Sequence, residues 1–144
     1  MMKYKDSSII AGSFVLSLVR AIRDEQTFIP NDMDIFTYGN DYVDLGHVFD
    51  DTKVQLIFKC CWDISEDVED KLLYFGLLTI AHFDLDCCRF FMTVDDNKVH
   101  IYTTESGMRS IDDNMNRIDK YNARSEKVIE RAAKYLERGF KFET

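Results

Sequence analysis

Asp32 and Asp34 sit two residues apart in a run, Asp32-Met33-Asp34-Ile35-Phe36, that alternates polar and apolar side chains in the manner of a strand. Successive strand residues point to opposite faces, so both carboxylates leave the same face. Carboxylates held side by side repel, and a cation that neutralises them relieves the repulsion. Mg²⁺ suits such a place, because it is hard, takes oxygen ligands and shares them with substrate phosphates. Two such ions, roughly 3.5–4 Å apart, would activate a hydroxyl and stabilise a leaving pyrophosphate. Upstream, Gly12-Ser13 lies where the apolar run Ser8-Ile9-Ile10-Ala11 gives way to a helical pattern. Glycine lets a ligand approach the backbone closely, and the free N–H groups of a helix start suit a phosphate. Together the two segments predict a phosphate-bearing ligand on Gly12 and Ser13 with a metal on Asp32 and Asp34.

These residues need elements to hold them. Phe14, Val15, Leu16, Leu18, Val19, Ala21 and Ile22 fall at helical spacing after Gly12-Ser13. Phe28-Ile29-Pro30-Asn31 reads as a turn, since the residue before Pro is driven extended. Asp32 to Tyr38 reads as a strand, and Asp41 to His47 as a short helix or an irregular loop. Lys53 to Trp62 is rich in branched and aromatic residues and reads as a strand. Ser65 followed by acids resembles a helix start, and Leu72 to Ala81 resembles the buried part of a helix. Asp84 to Val94 and Lys98 to Thr103 read as strands joined by the Asp95-Asp96-Asn97 turn. Ser110 to Phe142 carries a helical pattern. Strands and helices interleave without a linker, which predicts one α/β (α+β) domain over residues 1–144: a mixed β-sheet flanked by helices, with a helical C-terminal segment.

A strand, Gly-Ser, a helix and then an h-D-h-D-h strand form a far rarer combination than either half alone. The arrangement resembles the nucleotidyltransferase superfamily, the DNA polymerase β-like fold, in a minimal single-domain form. The likeness covers residues 8–38 well and continues loosely through 53–103. The ending Arg131-x-x-Lys134-Tyr135-x-x-Arg138-Gly139-Phe140 looks like the tail of virus- and phage-type members. Members that transfer nucleotides usually carry a third carboxylate on a following strand. The corresponding run here is Val54-Gln55-Leu56-Ile57, and Gln55 is neutral. Asp84 and Asp86 in Phe83-Asp84-Leu85-Asp86 are the next acids, predicted to share a face at the start of a strand. The expected catalytic set is therefore Asp32, Asp34 and Asp84, with Mg²⁺ on Asp32 and Asp34 and the nucleotide on Gly12, Ser13, Arg131 and Lys134.

Lys120, Arg124, Lys127, Arg131, Lys134, Arg138 and Lys141 recur at spacings of three and four. On one continuous helix they would form a basic face, either solvated and laced by Glu126, Glu130 and Glu137 or turned toward a triphosphate or single-stranded nucleic acid. Tyr121 and Tyr135 could add stacking surfaces or belong to the core. Elsewhere the chain is acidic. Its 144 residues carry a net charge of −8, and residues 1–109 hold 10 Lys and Arg against 19 Asp and Glu. That balance argues against general duplex DNA binding, which rests on neutralising phosphates.

Other chemistries lack residues. Cys60-Cys61 and Cys87-Cys88 are adjacent pairs without CxxC spacing, expected to be buried free thiols in a reducing cytoplasm. His47, His82 and His100 are scattered and form no zinc spacing. No G-x-S-x-G and no Walker loop is present. A chain this long can bury roughly 70% of its unfolded surface without a staple. No apolar run approaches the ~20 residues of a membrane helix, and the first residues do not resemble a signal peptide.

Two functions follow. The first is Mg²⁺-dependent transfer of a nucleoside monophosphate to an acceptor hydroxyl on a protein, a nucleic-acid end or a small molecule, the acceptor being brought by a partner or a second subunit. The second is a non-catalytic viral or phage binding protein of the same fold, presenting acids such as Asp41, Asp44, Asp50 and Asp51 to a basic partner.

Overall fold

The structure is a computed structural model that describes residues 8–25, 28–30, 32–38, 48–49, 54–62, 69–119 and 127–142. The segments 41–47 and 63–68, with the expected Ser65 cap, lie outside the described residues. The chain runs β1 (Ser8–Ala11), α1 (Ser13–Ile22), β2 (Asp32–Tyr38), β3 (Val48–Phe49), β4 (Val54–Trp62), α2 (Lys71–Ala81), β5 (Phe90–Asp95), β6 (Lys98–Thr103), α3 (Glu105–Asp112), β7 (Met115–Asn116), α4 (Lys127–Glu137) and β8 (Lys141–Phe142). Six strands form one mixed sheet in the order β3-β4-β2-β1-β5-β6. Its neighbours are antiparallel except β2 and β4, which run parallel. The α+β class expected from the sequence is what the chain adopts.

The pleat sorts the apolar residues onto two faces. Ile10, Ile35, Phe90 and Met92 pack with Val15 and Leu16 of α1. Ile9, Ala11, Phe36 and Phe91 pack with Phe75 and Ile80 of α2. Each fully buried Phe or Ile contributes about 1.5–3 kcal/mol, so the sheet is held from both sides. α2 comes close to the sheet at Gly76, where a Cβ would run into the Phe91 ring. Asp70 caps α2 by accepting the Leu73 N–H at 3.2 Å.

Two expectations fail. Residues 84–89 are not the start of a strand. Leu85 bridges Ile118, Asp86–Cys88 forms a 3-10 turn, and β5 begins only at Phe90. Cys87 and Cys88 are buried thiols, but in that turn rather than in the sheet. The stretch from Ser110 to Phe142 is not helical throughout either. α3 stops at Asp112, and Asn114 adopts the left-handed conformation with φ 49°, which Asn tolerates better than most residues. β7 then pairs in parallel with β8. Between them α4 ends in a Schellman turn: Gly139 has φ 93°, its N–H reaches Leu136 O, and the Phe140 N–H reaches Tyr135 O at 3.0 Å. The buried Arg20 of α1 ties this turn down, donating to Arg138 O at 3.0 Å and lying over the Phe140 ring. Among the described residues no helix is long and apolar enough to cross a membrane.

Candidate functional site

The passage from β1 to α1 is fixed by backbone geometry. Gly12 has φ 90° and ψ −143°, a region essentially reserved for glycine. Its N–H donates to Phe90 O at 3.1 Å, and its carbonyl accepts the Leu16 N–H at 3.1 Å. No side chain caps α1, so the first-turn amides rely on other partners. Ala11 is the register partner of Asp34 on β2. That pairing sets the Asp34 carboxylate over the turn, with Oδ2 3.9 Å from where a Gly12 Cβ would stand.

A cavity of about 340 Å³ opens here. Gly12 and Ser13, Asp32 and Asp34, and Arg131 and Lys134 all line it. Asp84 lines it as well, so every residue named from the sequence for a nucleotide site borders one space. The pocket wall also contains Phe36, Phe83 and Cys88, none of which the sequence reading assigned to the site, and Tyr135, which it left open between a stacking surface and the core. Phe36 was findable, because it lies two residues past Asp34 on the same face. Phe83 and Cys88 carry no local signal, since their placement depends on the 3-10 turn.

Asp84 is buried, and Arg131 donates to its Oδ1 at 2.9 Å. Its backbone carbonyl accepts the Asp119 N–H at 2.7 Å. Asp86 does not share this face as expected. It turns into a second cavity, accepts the Arg117 N–H at 3.2 Å and pairs with Arg89 at 3.5 Å. Among the described residues no three His, Cys, Asp or Glu side chains are grouped as a metal cage. Gln55 is the register partner of Asp32 on the parallel neighbour β4.

The basic residues do not form one face. Lys120 and Arg124 lie outside the described residues. Arg131 and Lys134 reach the cavity, whereas Arg138 lies over the Phe28 ring at 3.9 Å and Lys141 belongs to β8. Tyr135 is a core residue, edge-on to Phe28 and Phe140. Burial pushes its hydroxyl, and the Cys87 thiol, well above their ordinary pKa values, so both keep their protons at neutral pH. His82 caps the C-terminal end of α2, its Nδ1 2.8 Å from Leu78 O.

No family model matches the chain, and no curated protein matches it. Solved structures do. One described as a tRNA-processing enzyme in an apo form superposes with a TM-score of 0.52 at 15% identity, covering 95% of this chain and 41% of its own. A tRNA-processing enzyme complex gives the same score and identity, with 40% of its chain covered. The chain thus spans about two-fifths of the length of these structures, and the likeness is one of fold.

Proposed function

We propose that the chain is a nucleotidyltransferase of the DNA polymerase β-like superfamily, which moves a nucleoside monophosphate from a nucleoside triphosphate to an acceptor hydroxyl. One observation carries the reading: Gly12-Ser13, Asp32-Asp34 and Arg131-Lys134, from three separate stretches of sequence, line a single cavity. The start of α1 receives the triphosphate, with the amides and the helix dipole facing its negative charge. Arg131 and Lys134 approach from α4 and add two cations. The open glycine conformation lets the phosphates reach the backbone without a side chain in the way. Two carboxylate oxygen donors beside a phosphate site fit Mg²⁺, which commonly takes one or two carboxylates and completes its shell with phosphate and water. Asp32 and Asp34 would hold it, and when bound it would supply Lewis-acid stabilisation of the phosphoryl group. The acceptor hydroxyl then attacks the α-phosphorus and pyrophosphate leaves. The description of the structural neighbours favours a nucleic-acid end as acceptor, brought by a partner or a second copy of the chain.

A second reading, a nucleotide-binding protein without transfer, draws on a specific observation. The register position beside Asp32 holds the neutral Gln55, and Asp84 is already paired with Arg131. The test is thermal unfolding with Mg²⁺ and each of the four nucleoside triphosphates, followed by a transfer assay with labelled nucleotide. A ligand at one hundred times its dissociation constant stabilises the fold by about 2.7 kcal/mol. Stabilisation with transfer supports the first reading, and stabilisation without transfer supports the second. No stabilisation by any nucleotide overturns both.

A further inference from the structure

A second cavity, of about 400 Å³, lies where α3, the 3-10 turn and residues 117–119 meet. Three arginines line it, Arg89, Arg109 and Arg117, together with Ser106 and two acids, Asp86 and Asp119. In a chain with a net charge of −8, three guanidinium groups around one hollow stand out.

The arginines do different things. Arg89 is nearly buried and belongs to the scaffold. It donates to Phe83 O at 2.9 Å, to Ser106 Oγ at 3.1 Å and to Asp119 Oδ2 at 2.7 Å. These bonds hold it as a fixed wall and occupy the Asp119 carboxylate. Asp86 is occupied too, by the Arg117 N–H and by Arg89. Arg109 and Arg117 come from different elements, one on the last turn of α3 and the other on the segment whose Ile118 bridges Leu85. All three guanidinium charges act on the Asp86 carboxyl, pulling against its burial, so they share one electrostatic space. Among the described lining residues three cations stand against two acids, and both acids are engaged by the protein itself.

We propose that this cavity is a phosphate-binding site, in which Arg109 and Arg117 clamp the phosphate against the fixed wall made by Arg89. Guanidinium groups bind phosphate oxygens in a planar, two-point manner that lysine cannot reproduce. The phosphate could be free, carried by a small phosphomonoester, or part of a nucleic-acid strand. The inference is independent of the Gly12 pocket, which is separated from this cavity by the Asp84–Cys88 segment and shares no lining residue with it.

The experiment is an amide chemical-shift titration of the whole chain with inorganic phosphate, with a phosphomonoester, and with single-stranded RNA and DNA oligonucleotides. The proposal expects saturable shifts at Ser106, Gly107 and Arg117. The Arg109→Gln, Arg117→Gln double variant should bind at least about tenfold more weakly, while its response to Mg²⁺ and nucleoside triphosphate stays unchanged. Arg109→Lys should not restore affinity. A response to oligonucleotides much tighter than to phosphate assigns the site to a strand backbone, and equal responses assign it to a small anion. No shift at these three amides with any probe overturns the site, as does a shift that survives in the double variant. Should that variant fail to fold, the titration of the unaltered chain decides.

Discussion

Arg131 of α4 donates to Asp84 at 2.9 Å, joining a half-exposed guanidinium to a carboxylate whose side chain is only 5% exposed. The pair closes one wall of the Gly12 cavity and couples the C-terminal helix to the middle of the chain.

Removing the cation should expose the cost of the buried acid. Arg131→Met leaves Asp84 without this partner and is expected to destabilise the fold by about 1–2 kcal/mol, a range kept modest because Arg131 is partly solvated. Asp84→Asn combined with Arg131→Met should recover part of the loss. Urea unfolding of the two singles and the double gives the coupling. Additive losses would mean that the ion pair carries no stability.

A different acid sets a pH dependence. Burial pushes the Asp86 carboxyl above the usual Asp range, against the opposing pull of Arg89 and of the Arg117 N–H. The folded chain therefore keeps this proton to higher pH than the unfolded chain. Between the two values the folded state binds more protons, so this group's contribution to stability falls as pH rises through that window. Asp86→Asn removes the titration. Its stability relative to the unaltered chain should rise across the window directly above the ordinary Asp pKa and then level off. A flat difference in urea midpoints would contradict the assignment.

The glycines make separable predictions. Gly12→Ala should cost about 1–3 kcal/mol from backbone strain alone, since its Cβ would make only an ordinary contact with Asp34. Gly76→Ala should cost a similar amount by overpacking against Phe91. Phe91→Leu should relieve the second, with a coupling above about 0.5 kcal/mol, whereas Asp34→Ala should leave the first unrelieved. The reverse pattern in double-mutant cycles would show that the two causes have been exchanged.

The carboxylate pair can be tested against Gln55. Asp32→Asn with Asp34→Asn should abolish nucleotide-induced stabilisation in Mg²⁺ while changing stability in EDTA by no more than about 1 kcal/mol, because relief of like-charge repulsion opposes any lost contact. Gln55→Asp should strengthen the Mg²⁺ dependence of nucleotide binding, as it adds a carboxylate at the register position beside Asp32. Calorimetric titration of nucleotide with and without Mg²⁺ reads both. Unchanged binding in the double variant would remove Asp32 and Asp34 from the site.

What could be read in advance was whatever local pattern decides. Ile9 and Ile10, the helical spacing from Phe14 to Ile22, and the alternation from Asp32 to Phe36 each carry their own face, so β1, α1 and β2 were legible, and with them the Gly12–Asp34 juxtaposition. Residues 84–89 misled because Leu85, Cys87, Cys88 and Phe90 look like a buried strand. Their true conformation depends on pairing with residues 117–119 and on Arg89 reaching Asp119, partners no short window contains. The break after α3 did have a local signal, Asp112-Asp113-Asn114, outweighed by the longer apolar periodicity around it.

β1 lies between β2 and β5 and gives its second edge to a strand from the far half of the chain, and Gly12 donates its N–H to the carbonyl of Phe90 of that same strand. During ribosomal synthesis β1, α1 and β2 emerge long before β5 exists. In that interval the nascent chain presents an apolar strand with one bare edge, the kind that recruits other chains. The turn at Gly12 cannot be locked until Phe90 arrives, so the cavity it borders takes its shape only after β5 has been made. A fragment ending before Phe90 would expose the same edge permanently and be prone to aggregate.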